Sequence, residues 1–398
     1  MNRNSYVEIN VNKLCENVNN IVKTFSGYKY YIGVIKGNAY GYGEYISKYI
    51  IENGINYLAV SNLQEAINTR RYVPKEMGLL CLEPIGLDNI DKIIENNITL
   101  CVPSMEYFNE LEKASLGREI KFHLKINTGM NRLGVSSSKD IKEIYDRTIK
   151  GKNLVFEGIF THLATNGVYD SLYKEQVDRF RELVKEIDLS KISMVHIGRS
   201  CTLEMFPKID ICNGVRIGIM MYGVGSTFPS KRGLRNKIRN FKYEYIRKKR
   251  NLPRPYDKSM IRPIQALSLK SEIIDIQRVK KGMHIGYGFS CVAPTDGYVG
   301  VIPLGYADGM QTRYSDWFVM VNGKRYPVVG SVNMGMMQIM VSEDEKVGDV
   351  VTVISEDDEY KVLARKMGVS PYVLLTNINR NIPRVYIKDN KIDKVVGE

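Results

Sequence analysis

The sequence has no apolar run that approaches the roughly 18 residues a membrane span needs, so no membrane-spanning helix and no membrane partner are expected. Met1-Asn2-Arg3-Asn4-Ser5 leads straight into a strand–helix pattern with no signal-peptide core, which points to a cytoplasmic protein. Paired cysteine spacing is missing too. Cys15, Cys81, Cys101, Cys201, Cys212 and Cys291 are scattered, mostly in or beside apolar runs, and read as reduced, structural residues. There are only four histidines, none at metal-ligand spacing, so no metal is expected.

At 398 residues the chain is long enough for two domains, with apolar content ordinary for a folded protein. The net charge of +13 raises the question of nucleic acid. Its distribution answers it. Residues 231–258 carry twelve of the basic residues against Glu244 and Asp257, and the remainder is close to neutral. With no recognition motif beside it, nucleic acid is not an expected partner. This basic segment shows few helical or strand signals and reads as a solvated loop. The sharper alternative is that loop 231–258 docks an anionic partner or covers an active-site mouth.

Residues 6–10 alternate like a strand, and Val11, Leu14, Val18, Ile21, Val22 and Phe25 then recur at helical spacing. Eight short apolar runs follow: Tyr30–Lys36, Tyr57–Asn62, Met77–Leu82, Thr99–Pro103, Ile120–Asn127, Phe156–Leu163, Met194–Gly198 and Val215–Gly223. Alternating with helical patterns, they predict an α/β architecture, an N-terminal (β/α)8 TIM barrel, with a doubly wound sheet as the alternative. From about Ser226 the pattern changes to short β-type runs between 266 and 354, separated by turns such as Asn322-Gly323. Helices are expected over 358–367 and 371–379. The expected division is a barrel over 1–226, a basic insert over 227–262 and a mainly-β C-terminal domain over 263–398, with strand 6–10 free to pair with the latter.

The run Tyr30-Tyr31-Ile32-Gly33-Val34-Ile35 ends abruptly on Lys36 and opens into Gly37-Asn38-Ala39-Tyr40-Gly41-Tyr42-Gly43. A lysine at the carboxyl end of a buried strand is costly unless paired, neutralised or chemically used. An arginine inside the eighth run, Arg216, needs a partner for the same reason.

The stretch from Val34 to Gly43 resembles the cofactor-lysine motif of the alanine racemase family. Similar resemblances recur in His123–Gly134, Thr161-His162-Leu163-Ala164, His196–Ser200, Val215–Ile219, Gly282–Gly288 and Gly305–Gly309. The resemblance implies pyridoxal 5'-phosphate held as a Schiff base on Lys36. It further implies contacts to that cofactor from Tyr40, His162, Ser200, Arg216 and the backbone of Gly218 and Ile219. Arg132, Met334 and Tyr306 would meet the amino-acid substrate, and Lys125 would be a carbamylated lysine orienting Arg132. Tyr287 would be the second acid–base group, supplied across a homodimer so that the site is shared between subunits.

Two groups on opposite faces are what moving a proton across a planar carbanion requires. Arginine can only donate, so Arg216 would keep the ring nitrogen neutral. That disfavours transamination and argues against a decarboxylase of related fold. The implied activity is interconversion of L- and D-alanine, as in D-alanine supply for the cell wall. Two departures bear on the substrate. Gly335 stands beside Met334 where a side chain is usual, and Arg380 stands where a phosphate-binding tyrosine is expected and would meet the cofactor phosphate in its place. Another amino acid such as serine, or a broad specificity, is therefore the alternative, and a non-catalytic cofactor-binding protein is the alternative of another class.

Overall fold

The computed structural model describes residues 2–151, 153–226, 233–252, 254–256, 259–289, 291–357 and 360–397. Strand β1 (Tyr6–Asn10) buries every second side chain. Asn10 then caps the helix Val11–Thr24, its side-chain oxygen accepting from the Lys13 N–H at 3.1 Å. Val11, Leu14, Val18 and Ile21 fill that helix's buried face.

Each of the eight apolar runs overlaps a strand: β2 (Tyr30–Val34), β3 (Tyr57–Val60), β4 (Leu79–Cys81), β5 (Leu100–Val102), β6 (Ile120–Lys125), β7 (Leu154–Phe160), β8 (Met194–Arg199) and β9 (Gly214–Ile217). β2, β3, β4, β5, β8 and β9 are buried along almost their whole length, the mark of parallel strands covered on both faces. Their order is β4-β3-β2-β9-β8-β7-β6-β5. A parallel bridge between Leu80 and Thr99 joins the two ends, with Cys81 N–H donating to Thr99 O and Thr99 N–H to Leu79 O, both at 2.9 Å. The sheet therefore closes into a (β/α)8 barrel. A doubly wound sheet would have left β4 and β5 as edges.

The second layer is a ten-stranded sheet built from β1, β10 (Leu267–Glu272), β11 (Asp275–Val279), β14 (Gly297–Ile302), β15 (Phe318–Val321), β16 (Lys324–Val329), β17 (Met337–Val341), β18 (Val350–Ile354), β19 (Arg384–Lys388) and β20 (Lys391–Val396). A separate hairpin pairs β12 (His284–Ile285) with β13 (Cys291–Val292). β1 sits between β10 and β19, antiparallel to the first and parallel to the second, so the two ends of the chain meet in one sheet. The short helices Tyr360–Met367 and Pro371–Thr376 precede β19.

The basic segment differs from the expected loop. Leu234–Lys249 is a 16-residue helix. Arginine, lysine and leucine are good helix formers, and the segment's polarity conceals the periodic spacing of its few apolar residues. Its inner side is held by Tyr243, buried edge-on against Tyr169 at 5.9 Å, and by the Arg239 guanidinium over the Tyr169 ring at 4.4 Å. Arg250 just beyond it donates to Ser171 Oγ at 2.7 Å. The helix thus lies on the segment that follows barrel strand β7.

Candidate active site

After β2 the backbone passes Lys36 into a left-handed turn, with positive φ at Gly37, Asn38, Ala39 and Tyr40. For the three residues with a Cβ this costs roughly 1–2 kcal/mol each, so the surroundings must hold the turn in place. They do so from four sides. The buried Glu65 carboxylate accepts from Gly37 N–H at 2.8 Å and from Ser61 N–H at 2.9 Å. Tyr40 stacks on Tyr222, whose hydroxyl donates to Val34 O at 2.9 Å. Tyr386 OH donates to Tyr42 O at 2.8 Å, and buried Arg384 donates to Gly41 O at 3.2 Å. Gly41 permits the closest approach: a Cβ there would lie 2.2 Å from the Leu375 carbonyl oxygen.

Lys36 opens onto a cavity of about 540 Å³ at the carboxyl end of the barrel strands. Five cations line it, Lys36, Lys125, Arg132, Arg199 and Arg216, against one carboxylate, Glu83 at its rim. Burial first, and Arg132 second, lower the Lys36 pKa, and Glu83 and Glu65 offset only part of this. Lys125, its Nζ 4.2 Å from the centre of the Phe160 ring, is pushed down to about 7 by burial and then by Arg216. His162 is held far below its ordinary value by burial and the same cations, so its ring is neutral. Buried Gln176 fixes the loop that carries it, accepting from Ala164 N–H at 2.8 Å and donating to His162 O at 3.2 Å.

On the opposite wall, the Gly218 N–H donates to Ser200 Oγ at 2.9 Å, which leaves the Ser200 hydroxyl proton available. A Cβ on Gly218 would lie 2.9 Å from Tyr40 OH. Arg199 caps the helix Ser200–Met205, and its buried Nε finds no hydrogen-bond partner among the described residues. The Arg132 guanidinium, exposed at the mouth, likewise has no hydrogen bond or ion pair among the described residues. Unpaired cations around a serine hydroxyl suit an anionic ligand.

Arg216 is the most constrained member. It donates to the carbonyls of His196 (2.7 Å), Thr161 (2.7 Å) and Ile197 (3.0 Å), and to His196 Nδ1 at 2.7 Å. Because arginine offers no acceptor, His196 Nδ1 must accept and its proton must sit on Nε2. That proton goes to His123 Nδ1 at 2.9 Å, and His123 Nε2–H then donates to Glu157 Oε2 at 3.2 Å. Tyr57 OH also donates to Glu157, at 2.5 Å. Burial pushes the Glu157 carboxyl up, and the hydrogen bonds from His123 and Tyr57 outweigh it and keep it ionised. A line of directed hydrogen bonds therefore crosses the barrel interior from the cavity arginine to a carboxylate.

Of the residues singled out from sequence, Lys36, Tyr40, Lys125, Arg132, His162, Ser200, Arg216, Gly218 and Ile219 come together on this cavity. Tyr287, Tyr306, Met334 and Arg380 do not. Tyr287 is 74% exposed on a short turn after β12. Tyr306 and Met334 are exposed neighbours in the C-terminal domain, where Tyr306 N–H donates to Asn333 O and Ala307 N–H to Met334 O, both at 2.9 Å. Arg380 pairs with Glu44 and does not line this cavity. The tyrosine on that wall is Tyr372, tilted against Tyr40 at 5.9 Å between ring centres. Sequence reading missed it. Its signal was Ser370-Pro371-Tyr372, a helix start with proline in the first turn, which aims the next side chains from a fixed position. Glu65 and Arg199 are further residues of the site that sequence reading assigned no role.

Two family models match the chain: Alanine racemase, N-terminal domain, over residues 9–226, and Alanine racemase, C-terminal domain, over residues 266–386. Alanine racemase of Staphylococcus epidermidis is 30% identical, the match covering 100% of this chain and 98% of that protein. Alanine racemase of Clostridium kluyveri is 32% identical over 98% of this chain and 95% of its own. Among solved structures, alanine racemase from Bacillus anthracis with bound L-Ala-P superposes with a TM-score of 0.84 at 29% identity, covering 100% of this chain and 98% of that one. Histidine racemase from Leuconostoc mesenteroides subsp. sake shares the fold, with a TM-score of 0.83 at 23% identity over 97% of this chain and 99% of its own.

Proposed function

This chain belongs to the alanine racemase family and is a racemase, an isomerase by reaction class, and on that premise we propose that it uses pyridoxal 5'-phosphate to interconvert L- and D-alanine. The observation that carries the reading is the cavity itself, where a desolvated lysine shares about 540 Å³ with four further cations and a free serine hydroxyl. A phosphorylated aromatic aldehyde and an amino-acid carboxylate both match that donor set. The unpartnered Nε of Arg199 and the glycine at 218, where a Cβ would crowd the Tyr40 hydroxyl, favour the fit.

Lys36 would hold the cofactor covalently through Nζ, Ser200 and the 218–219 backbone its phosphate, and Arg216 its ring nitrogen. Bound there, the cofactor supplies an electron sink that acidifies the substrate α-proton. Burial favours the neutral amine of Lys36, the form able both to bond to a carbonyl and to take up a proton at Nζ. Arg216 can only donate, so a ring nitrogen facing it stays unprotonated. Arg132, free at the mouth, would take the substrate carboxylate. Inversion needs a second proton site on the opposite face. Tyr287 is exposed in a single chain, and in this reading a partner subunit's copy of that tyrosine completes each site of a homodimer.

The test is racemisation of single-enantiomer amino acids by the purified holoenzyme. Alanine should be turned over at a kcat/KM at least about tenfold above serine or histidine. A preference for serine would support the alternative reading, a racemase of the same design with another substrate. Absence of α-proton exchange in heavy water, with cofactor bound, would overturn catalysis.

A further inference from the structure

The helix Leu234–Lys249 turns its apolar residues outward. Leu234, Ile238, Phe241 and Tyr245 are between 62% and 78% exposed. Their spacing of four, three and four places them within about 60° of one another around the helix. Lys237 and Lys248 flank this stripe on one side, and Lys242 and Lys249 on the other, all four exposed. The helix's single carboxylate, Glu244, is engaged by Arg247, which donates to it from Nε at 3.0 Å and Nη2 at 2.9 Å. The outward face is thus a convex apolar crest between two rows of lysine.

We propose that this face docks the enzyme on an anionic phospholipid surface. Lysine stems lie along apolar surface while their ammonium groups reach outward to charged headgroups, and the crest enters the layer beneath. At 16 residues the helix is about 24 Å long and densely charged, so it lies in the plane of the surface and does not cross it. Such a helix needs no long apolar run. A second copy of the same face is a poor partner, because lysine rows would meet lysine rows. Nucleic acid would use the lysines and leave the crest unemployed. The proposal does not depend on which amino acid the cavity accepts.

Flotation of the full-length holoenzyme with phosphatidylcholine vesicles, with and without phosphatidylglycerol, tests it. The enzyme should float with the anionic vesicles at low salt and be released as salt rises. Ile238→Ser combined with Phe241→Ser should weaken partitioning at least about tenfold. Lys242→Gln and Lys249→Gln should each weaken it about fivefold at low salt. Circular dichroism and racemase rates should match the parent, since these side chains face solvent. Three results would overturn the proposal. They are equal flotation with uncharged vesicles, retention of binding by the serine double variant, and vesicle-independent self-association that the same double variant abolishes.

Discussion

Two groups of cations in this molecule are made of the same residue types and behave in opposite ways. Five line the barrel cavity, and seven stud the helix Leu234–Lys249. In the cavity, burial strips water from Lys36, Lys125 and Arg216 and lowers all three pKa values, with Lys125 brought to about 7 and Arg216 to about 10. The helix cations stand mostly in solvent, where hydration screens them and each contributes little to folding. Counting charge would have pointed to the helix, which with its flanking residues 231–258 holds most of the formal excess. Desolvation identifies the cavity as the reactive one.

The comparison can be broken most severely at Lys36. Lys36→Ala should lower kcat by at least about a thousandfold while leaving the fold intact, as judged by near-UV dichroism. Borohydride treatment should no longer tag the Lys36 peptide. Next comes complementation: Lys36→Ala and Tyr287→Phe subunits should each be at least about a hundredfold impaired. Mixed after mild dissociation, they should recover about a quarter of parental activity if each site draws on both subunits of a two-fold dimer. Recovery of nothing would place both residues in one chain's site or remove Tyr287 from it.

A stability measurement probes the line behind Arg216. Glu157→Leu leaves the buried His123 Nε2–H without its acceptor and should cost about 1–3 kcal/mol in denaturant unfolding. Lys125→Met should instead stabilise the cofactor-free protein, because it removes a buried ammonium. The Lys125 pKa falls from 10.5 unfolded to about 7 folded. The folded chain therefore binds fewer protons between those values, and parental stability rises across that window. The advantage of Lys125→Met should be largest below about pH 7 and vanish near pH 10.5, read from melting curves at several pH values. The smallest effect belongs to the helix: Lys242→Gln should shift unfolding by no more than about 0.5 kcal/mol. A larger shift would mean that the helix charges are not simply solvated.

Legibility followed burial and locality. The eight barrel strands were readable because covered parallel strands appear as unbroken apolar runs. Lys36, His162, Ser200 and Arg216 each sit at or near a strand's carboxyl end, so a barrel brings them together wherever they fall in the chain. β20 was unreadable because it is a charged edge strand, exposed at Lys391, Ile392, Asp393 and Lys394, and has no alternation to reveal it. Arg380 is read as a phosphate contact because it stands next to Asn381-Ile382-Pro383-Arg384. Its pairing with Glu44 and the entry of Tyr372 are long-range facts.

The amino-acid order by itself determined the barrel, the lysine at its second strand and the arginine in its last, since each is written in a handful of adjacent residues. Tertiary structure alone decided that Glu157 reaches Arg216 through two imidazoles and that Glu65 and Arg384 pin the left-handed turn. It alone decided, too, that a basic segment presents an apolar crest. The reason is directional: hydrogen bonds and exposure depend on which side chains face each other across the fold, and separations of 20 to 343 residues leave no local trace of that.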